Sequence, residues 1–480
     1  MKNMLKFINS VINKNKNSYI FDYDSKVTFE DFWKRAVDFG MILKANFPEG
    51  TAKCAILCEK NINTAKALLA CWYAGFIPIP LNKDYGKEAY ESIINHIKPD
   101  IVIEDAYSHS EESLHIRIVD IPSEIDTNAN KNTDVEELKD IALLMSTSGT
   151  SGKPKVAMIR EEGLIKNIYA IAEYFKITNK DNILIARPIF HSGVLTGEFL
   201  TALYTGTNIY FTDIGFNPAG IVQSIEKLNI TVICGTPTLL YNLAIYYKNR
   251  SEKNVSANIN ATNIEKIAIS GECLTAFAAK KIREAFKETQ IYHVYGLTEA
   301  SPRVSFLAPE YFDQYPESVG IGISGVSIKV VDEEVYIKSE SMMKGYYKDK
   351  VLTDKVMQTE ASGWLKTGDV GYIDDNGLLY IKGRLDDMII KAGMNIYPRE
   401  IESKLMKVGE IKAALAYSIR NEVSEEIAID IVPKDQYKDL TLKEWYKLIS
   451  KVLPTYMLPS KINILDELNR NASGKVIPTI

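Results

Sequence analysis

The sequence predicts an α/β protein with a large N-terminal domain and a small α+β domain behind it. Before about residue 319, short apolar runs typical of buried strands alternate with helical patterns, which favours a mostly parallel sheet. After that point the pattern changes to short alternating segments typical of antiparallel hairpins. The length of 480 residues exceeds the usual size of one hydrophobic core, so two or more domains are expected.

The first helices and strands are predicted from the spacing of apolar residues and from the residues that begin or end helices. Thr28 is a candidate N-cap for a helix whose apolar residues recur at roughly helical spacing. Those apolar residues are Phe32, Ala36, Phe39, Met41 and Leu43. "AILCE", residues 55 to 59, predicts a short buried strand, and the next helix is expected to end near Gly75 before another strand. Three further strands are predicted by "DIVIED", "IALLM" and "NILIA".

Later segments predict hairpins and then the small domain. "VSIKVVDEEVYIKS" and "GLLYIKG" alternate as antiparallel strands do. From about Asp386 onward, a helix around "REIESKLMKV" is joined by the strands "AALAYSI" and "IAIDIV". The run "GIGISG" (320 to 325) matches GxGxxG, but it lacks a preceding strand and a following helix, so we reject a dinucleotide site there.

Composition excludes several classes of protein. A net charge of -5 argues against a broad basic surface for nucleic acid or anionic membrane, so phosphate binding must be local. Five cysteines without a CxxC pair make a disulfide scaffold or a zinc ribbon improbable and fit a reducing cytoplasm. No signal peptide is evident and no apolar run reaches 18 residues, so we expect a cytoplasmic protein without membrane insertion.

The stretch "STSGTSGKPK", residues 146 to 155, follows the apolar run "IALLM". Gly149 and Gly152 lie three apart and Lys153 follows, which differs from the spacing of a Walker loop. The physics is shared, because glycines let backbone N–H groups turn toward an anion while hydroxyls and lysine add hydrogen bonds and charge. Composition alone equally allows a flexible surface loop.

Five segments, taken in their order along the chain, favour a phosphate-binding loop over a flexible surface loop. They are "STSGTSGKPK", "HVYGLTEAS" (293 to 301), "WLKTGDVGYIDDNG" (364 to 377), "GRLDDMIIKAGMNIYPREIE" (383 to 402) and "NASGKV" (471 to 476). Together they resemble the adenylate-forming superfamily, which contains acyl- and aryl-CoA ligases, luciferases and the adenylation domains of peptide synthetases. The resemblance runs from about residue 27 to the C-terminus.

The resemblance implies a fold and a reaction. The fold has an N-terminal domain, 1–384, of two α/β sheet subdomains and a β-barrel-like subdomain, followed by a mobile α+β domain, 385–480, that carries the catalytic lysine. The reaction joins a carboxylate to the α-phosphate of ATP, releases pyrophosphate, and passes the acyl group to a thiol. ATP, Mg²⁺ and either CoA or a phosphopantetheine arm are the implied cofactors and co-substrates.

The resemblance also implies which residues hold the nucleotide. The phosphate loop would wrap the β- and γ-phosphates and steady the leaving pyrophosphate. It consists of Thr147, Ser148, Gly149, Thr150, Ser151, Gly152 and Lys155. Gly271 and Glu272 of "SGECL" would line the adenine and the acyl pocket, while Asp369 would accept hydrogen bonds from both ribose hydroxyls. Arg384 would add a second ribose contact.

The "YGLTE" segment and the C-terminus carry the implied chemistry. Tyr295 would stack on adenine, and Gly296 would belong to the nucleotide-binding residues. Thr298 would contact the α-phosphate, and Glu299 would hold a Mg²⁺ ion, which prefers oxygen ligands. Lys475 would bridge the acid's carboxylate and the α-phosphate during adenylation. For the second half-reaction, Asp386 is the expected hinge of the small domain, and Gly393 would lie near the thiol channel.

Substrate class rests on weaker signals. "FHSG" resembles an element of acyl- and aryl-acid ligases, and no aspartate stands there to pair with an α-ammonium group, so a carboxylic acid without one is favoured. His191 is either a wall of the acyl pocket or a packed histidine. Val156, Glu161 and Cys273 depart from the family's usual residues. Chain length, aromatic or aliphatic preference and oligomeric state stay open.

Three interpretations of function remain. The first is a CoA ligase, and the second is a loading enzyme that delivers the acyl group to the phosphopantetheine arm of an acyl or peptidyl carrier protein. The third, a nonenzymatic nucleotide-binding relative, is disfavoured because the residues with implied chemistry are all present. Those residues are Thr298, Glu299, Asp369, Arg384 and Lys475.

Overall fold

The structure is a computed structural model of the chain. It describes residues 2–22, 25–47, 53–82, 87–105, 116–119, 136–147, 154–212, 217–252, 263–357, 363–391, 394–420, 425–470 and 476–479.

Helices cover the sheet faces and the small domain. The α-helices are Lys2–Asn15, Phe29–Asn46, Asn61–Ala74, Lys87–Ile97, Glu161–Phe175, Ser192–Val194, Thr201–Thr205, Pro218–Leu228, Pro237–Glu252, Ala276–Ala285, Lys350–Val356, Pro398–Leu405 and Leu442–Ile449. A π-helix, Leu195–Leu200, joins two of them into one continuous helical stretch, 192–205. Short 3-10 helices are Thr298–Ala300, Pro309–Tyr311, Leu385–Asp387, Asp435–Tyr437 and Thr455–Met457.

The strands are numbered in chain order. They are β1 Tyr19–Asp22, β2 Ser25–Thr28, β3 Lys53–Ile56, β4 Ile77–Pro80, β5 Ile101–Asp105, β6 Ile116–Val119, β7 Ile141–Thr147, β8 Lys155–Arg160, β9 Asn182–Ile185, β10 Asn208–Phe211, β11 Val232–Gly235, β12 Lys266–Ile269, β13 Gln290–Gly296, β14 Arg303–Leu307, β15 Ile321–Gly322, β16 Val326–Val331, β17 Glu334–Ser339, β18 Leu365–Ile373, β19 Leu379–Arg384, β20 Ile389–Lys391, β21 Met394–Ile396, β22 Ile411–Arg420, β23 Glu425–Pro433 and β24 Lys461–Ile464.

The largest sheet is mostly parallel, as the sequence predicted. Its order is β15-β14-β13-β12-β11-β9-β10-β1-β2. The six central strands, from β13 to β1, pair in parallel, and antiparallel strands flank them on both sides. Parallel strands end at the same edge of a sheet, so the segments that follow β9, β11, β12 and β13 meet there.

A second α/β sheet and a pair of strands complete the upstream layers. The second sheet has the order β4-β3-β5-β6, and β7 pairs with β8 in an antiparallel arrangement. The predicted β-barrel-like part is built on a four-stranded antiparallel sheet, β16-β17-β18-β19. The predicted α/β class with its N-terminal subdomains is therefore confirmed.

The C-terminal segment has its own hydrophobic core. This core contains Ile389, Ile401, Leu405, Trp445 and Ile449, packed around β22-β23-β24. The core clusters upstream end at Leu379. A boundary between residues 384 and 385 stays a prediction, and the separate cores are compatible with it.

Most predicted elements are present, with shifts at their ends. Thr28 caps the helix Phe29–Asn46, because its hydroxyl accepts a hydrogen bond from the Asp31 backbone at 3.0 Å. Gly75 ends the next helix in the left-handed conformation, at φ 82°. The prediction that Met41 belongs to the apolar face of the first of these helices is wrong, since Met41 is 49% exposed and the buried residues of that helix do not include it.

The strand predicted over residues 55 to 59 lies instead over Lys53–Ile56. Apolar composition misplaced it, because the buried strand includes the charged residue Lys53 and ends before the apolar Leu57. The "GIGISG" run forms the edge strand β15 and a turn. This agrees with the rejection of a dinucleotide-binding loop there.

All five cysteines are free thiols. Within the described ranges, no helix combines the length and the apolar character needed to cross a bilayer.

Candidate active site

One edge of the large sheet gathers the predicted site residues. His191 follows β9, Gly271 follows β12, and Thr298 follows β13. Because these parallel strands are neighbours or near neighbours in the sheet, their carboxyl ends deliver the three segments to one place.

A tight turn after β13 presents Thr298 and Glu299. The backbone N–H of Leu297 donates to the Pro302 carbonyl at 2.9 Å, which folds the chain back around a 3-10 helix. Gly296 permits this turn, because a Cβ on it would lie 2.1 Å from the Pro302 carbonyl oxygen. Across the edge, the hydroxyls of Thr298 and Ser192 lie 3.0 Å apart.

The carboxylate of Glu299 is oriented by a neighbouring segment. The Tyr346 hydroxyl donates to Glu299 Oε1 at 2.7 Å. Burial and the adjacent carboxylate raise the pKa of Tyr346, so the phenol stays a donor at neutral pH. Tyr346 is held in turn by β8, since Met158 donates to the Gly345 carbonyl at 2.9 Å and Ala157 bridges to Tyr346. The strand that leaves the phosphate loop thus supports the Glu299 carboxylate.

Asp369, Arg384 and Tyr295 form a polar cluster in which Asp369 is buried and the Arg384 side chain is partly exposed. Asp369 and Arg384 are direct cross-strand partners on β18 and β19, and Arg384 Nη1 lies 3.1 Å from Asp369 Oδ1. The Tyr295 hydroxyl donates to the other carboxylate oxygen, Oδ2. Burial raises the pKa of Asp369, while Arg384 and Tyr295 oppose that rise and Glu299 adds to it. The last effect places Glu299 within electrostatic range of the cluster.

The "SGECL" segment is held on both sides. Gly271 adopts φ 92°, a conformation that favours glycine. Glu272 Oε2 accepts a hydrogen bond from the Thr238 hydroxyl at 2.6 Å. Arg399 of the C-terminal part donates to the Cys273 carbonyl at 3.0 Å, so this segment joins the nucleotide side of the site to the small domain.

His191 stands at the start of the helical stretch 192–205, next to Ser192. Burial and the nearby Arg187 lower its pKa to about 4, so the imidazole is neutral at pH 7. A neutral ring beside an acyl group is compatible with the predicted pocket wall, and it carries no charge of its own.

Several predicted residues lie outside the described residues. They are Ser148, Gly149, Thr150, Ser151, Gly152, Gly393 and Lys475. Their flanks are described: the backbone of Thr147 ends β7, and Lys155 begins β8. Asp386 lies in the exposed 3-10 turn between β19 and β20.

Sequence reasoning assigned no role to Ser192, Thr238 or Tyr346, which contact Thr298, Glu272 and Glu299. Ser192 lies inside the quoted "FHSG" and could have been proposed from that position. Tyr346 could not, because its contact depends on the pairing of β8 with residues 344–347, far apart in sequence.

The residues present fit a Mg²⁺ ion carried mainly by phosphates. Among the described residues, no group of three or more His, Cys, Asp or Glu side chains could hold a metal ion. Mg²⁺ is commonly bound through one or two carboxylates together with substrate phosphates, and Glu299 supplies one oriented carboxylate.

Two family matches cover the two parts of the chain. AMP-binding enzyme matches residues 10–347, and AMP-binding enzyme C-terminal domain matches residues 400–475. The chain therefore belongs to the AMP-binding enzymes. This confirms the predicted adenylate-forming superfamily and the predicted class, an AMP-forming acid–thiol ligase.

Individual relatives are similar over nearly the whole chain. The 2-succinylbenzoate–CoA ligase of Bacillus subtilis (strain 168) is 26% identical over 468 residues, covering 95% of this chain and 92% of that protein. The feruloyl-CoA synthase of Amycolatopsis sp is 25% identical over 467 residues, covering 94% and 92%. A solved structure of o-succinylbenzoate CoA synthetase from Bacillus subtilis with ATP and magnesium has a TM-score of 0.80 at 22% identity, with 98% of each chain covered.

Proposed function

We propose that the protein activates a carboxylic acid with ATP, releases pyrophosphate, and transfers the acyl group to the thiol of CoA. The observation that carries this proposal is the arrangement at the sheet edge. The buried Asp369 carboxylate, paired with Arg384, could accept hydrogen bonds from a ribose and lies within electrostatic range of the Glu299 carboxylate. Thr298 precedes Glu299 on the same turn. The family and the CoA ligases among the relatives support the same reaction.

In the adenylation step, Thr298 would donate its hydroxyl to the α-phosphate. The Ser192 hydroxyl, 3.0 Å away, holds Thr298 in position from the side on which the acid would bind. Glu299 would hold Mg²⁺, which supplies positive charge that reduces repulsion between the anionic carboxylate and the phosphate. The Tyr346 hydroxyl bond keeps the Glu299 carboxylate pointing in one direction before the substrates arrive.

The nucleoside would be held by residues on three elements. Asp369 is paired with Arg384 and would accept hydrogen bonds from the ribose hydroxyls. The ring of Tyr295 would stack on adenine while its hydroxyl fixes Asp369. Gly271 and Glu272 would line the base, and the phosphate loop, 147 to 155, would surround the β- and γ-phosphates.

Lys475 would bridge the carboxylate and the α-phosphate, and rotation about Asp386 would exchange it for the Gly393 face that admits the thiol. These roles rest on the resemblance. The separate hydrophobic core that begins at Ile389, immediately after the exposed turn, supports a C-terminal unit able to move as one body.

CoA is the favoured acceptor. The named relatives are CoA ligases or CoA synthases, and a carrier protein as partner has no comparable support. The acid itself is not identified by these names, because relatives of similar identity differ in substrate.

The test is acid-dependent ATP–pyrophosphate exchange in the absence of CoA, across aliphatic acids, aryl acids and amino acids. We expect exchange with one class of acid lacking an α-amino group, and formation of the thioester once CoA is added. Lys475→Ala should reduce exchange by at least about 100-fold while nucleotide binding persists. Lys461→Ala, an exposed lysine on β24, is the matched control and should retain exchange. Absence of exchange with every acid would contradict the proposal.

A further inference from the structure

Two arginines and one glutamate are buried together beside the helical stretch 192–205. Arg187 follows β9, Glu198 lies in the π-helix, and Arg303 begins β14; they are 9%, 0% and 4% exposed. Arg187 Nη2 and Glu198 Oε1 form an ion pair at 2.5 Å. Two guanidinium groups thus accompany one carboxylate in this cluster.

Arg303 is fixed at its backbone and incompletely satisfied at its guanidinium. Asn167 accepts from the Arg303 N–H at 3.2 Å and donates to its carbonyl at 2.9 Å. The guanidinium donates to the Gly193 carbonyl at 3.5 Å, the outer limit of a hydrogen bond, and it also forms a hydrogen bond with the Tyr174 hydroxyl. Its Nε has no partner among the described residues. A buried charged donor left without a hydrogen-bond partner is costly, so a ligand that accepts a hydrogen bond from this Nε would be stabilised here.

The groups around Arg303 do not cancel its charge. Burial raises the pKa of Tyr174 to about 12 while Arg303 opposes that rise, so a neutral phenol lies beside the guanidinium. Glu198 is within electrostatic range of both arginines and pairs with Arg187 through Oε1, while its Oε2 and the Arg187 Nε have no hydrogen-bond partner among the described residues. One carboxylate therefore faces two guanidinium groups. His191 is neutral at pH 7, because burial and the nearby Arg187 lower its pKa to about 4. The cluster therefore keeps one excess positive charge.

Two glycines keep space for the guanidinium. Gly193 and Gly197 are four residues apart and so lie on one face of the helical stretch. A Cβ on Gly197 would lie 2.7 Å from Arg303 Nη2, and a Cβ on Gly193 would lie 3.4 Å from Nη1. A larger residue at 197 would displace the charged end of Arg303.

The position of this cluster relates it to the acid. Gly193 follows Ser192, whose hydroxyl lies 3.0 Å from that of Thr298, and Arg303 begins the strand that leaves the turn holding Thr298 and Glu299. An acid whose reacting carboxylate lies at Thr298 would extend its distal end along the Gly193 side of the helical stretch, toward Arg303.

We propose that Arg303 binds a second carboxylate on the acid, so that the substrate is a dicarboxylic acid activated at one end only. The inference rests on the proposed function and adds its substrate class. The planar guanidinium can offer two parallel N–H donors to a carboxylate, which a lysine cannot. Binding would give the Nε donor a partner and neutralise the excess charge.

The experiment measures pyrophosphate exchange with matched pairs of acids. The pairs are malonate with propanoate, succinate with butanoate, glutarate with pentanoate, and phthalate with 2-methylbenzoate; in each, a methyl group replaces the second carboxylate. Wild type should prefer the dicarboxylate of at least one pair by about 10-fold or more in kcat/KM, the range expected for a hydrogen bond to a charged group. The preference should appear mainly in KM.

Variants separate recognition from stability. Arg303→Met should invert the preference within that pair, and Arg303→Lys should restore part of it. Arg250→Met, which removes a surface arginine paired with Glu226, should keep the wild-type preference. An equal loss for both acids of the pair in Arg303→Met would overturn the proposal in favour of a packing role.

If Arg303→Met does not fold, the proposal is tested by the preference of wild type within each pair of acids and by how far Arg303→Lys changes that preference. Exchange with monocarboxylates alone would overturn the dicarboxylate proposal and leave the adenylation proposal standing. Exchange with none of the acids in either panel would overturn both.

Discussion

Glu299 combines a charge with a fixed orientation, and the two can be separated by one substitution. Glu299→Gln preserves the shape and can still accept the Tyr346 hydroxyl bond, but it removes the charge proposed to hold Mg²⁺. We expect the exchange rate to fall by on the order of 100-fold, with a higher Mg²⁺ concentration needed for half-maximal rate. The measurement is exchange as a function of Mg²⁺.

Glu310→Gln provides the matched control, because Glu310 is an exposed carboxylate on the 3-10 helix Pro309–Tyr311. It should leave both the rate and the Mg²⁺ dependence unchanged. A Glu299→Gln variant with the wild-type Mg²⁺ dependence would argue against a metal-binding role for Glu299.

His293 couples the stability of the site's central strand to pH. It is 1% exposed on β13, and its Nδ1 lies 3.1 Å from the Pro316 carbonyl oxygen. Burial lowers the pKa of His293 to about 4 from an ordinary value of 6.5, so the unfolded chain binds more protons between these two pH values. Its contribution to stability is complete above about pH 6.5 and is lost as pH falls toward about 4, at up to about 1.4 kcal/mol per unit.

Thermal unfolding between pH 7 and pH 5 measures this effect. Wild type should lose more stability over that interval than His293→Asn, in which an amide nitrogen near the position of Nδ1 keeps a neutral donor for the Pro316 carbonyl. If the stability of wild type and of His293→Asn fell equally between pH 7 and pH 5, protonation of His293 would not be the cause of the loss.

At the scale of the element, the turn after β13 depends on one glycine. Gly296→Ala would place a methyl group 2.1 Å from the Pro302 carbonyl oxygen, which is backbone and cannot move independently. The turn must then open, and Thr298 and Glu299 would leave their positions. We expect exchange activity to fall by at least about 100-fold, since small displacements of positioning groups have large effects on rate.

Gly409→Ala is the control for this substitution, because a Cβ there meets no atom within 4 Å. It should retain full exchange activity. Exchange assays together with the thermal midpoint of each variant distinguish a displaced turn from general unfolding. Normal activity in Gly296→Ala would contradict the turn's positioning role.

The elements also show what sequence reasoning can reach. Helices with caps and strands with apolar runs can be predicted because their signals come from residues close together in the sequence. Thr28 and Gly75, which begin and end helices, are examples. The segments of the site were found by resemblance, whereas the contacts between them were not. Tyr346 reaches Glu299 only through strand pairing with β8, and Arg303 is recognisable as unsatisfied only once its burial is known.

At the scale of the whole molecule, the small domain contacts the nucleotide side of the site through Arg399. Arg399 donates to the Cys273 carbonyl at 3.0 Å, and the connecting residues 385–387 form an exposed 3-10 turn. A separate hydrophobic core and an exposed connecting turn favour rotation of the small domain as a unit.

Asp386→Pro tests that rotation. The 3-10 turn has backbone angles that a proline can adopt at its second residue, so the substitution should keep the turn while restricting the change in backbone angles that rotation needs. Adenylation should be spared relative to thioester formation, by about 10-fold or more in the ratio of the two rates. Pyrophosphate exchange without CoA measures the first half-reaction, and CoA-dependent release from preformed acyl-adenylate measures the second.

Asp386→Ala, which keeps backbone freedom, should leave the ratio near that of wild type. Equal loss of both half-reactions in Asp386→Pro would contradict the hinge role, because a hinge restricts the exchange between two arrangements and leaves one of them intact.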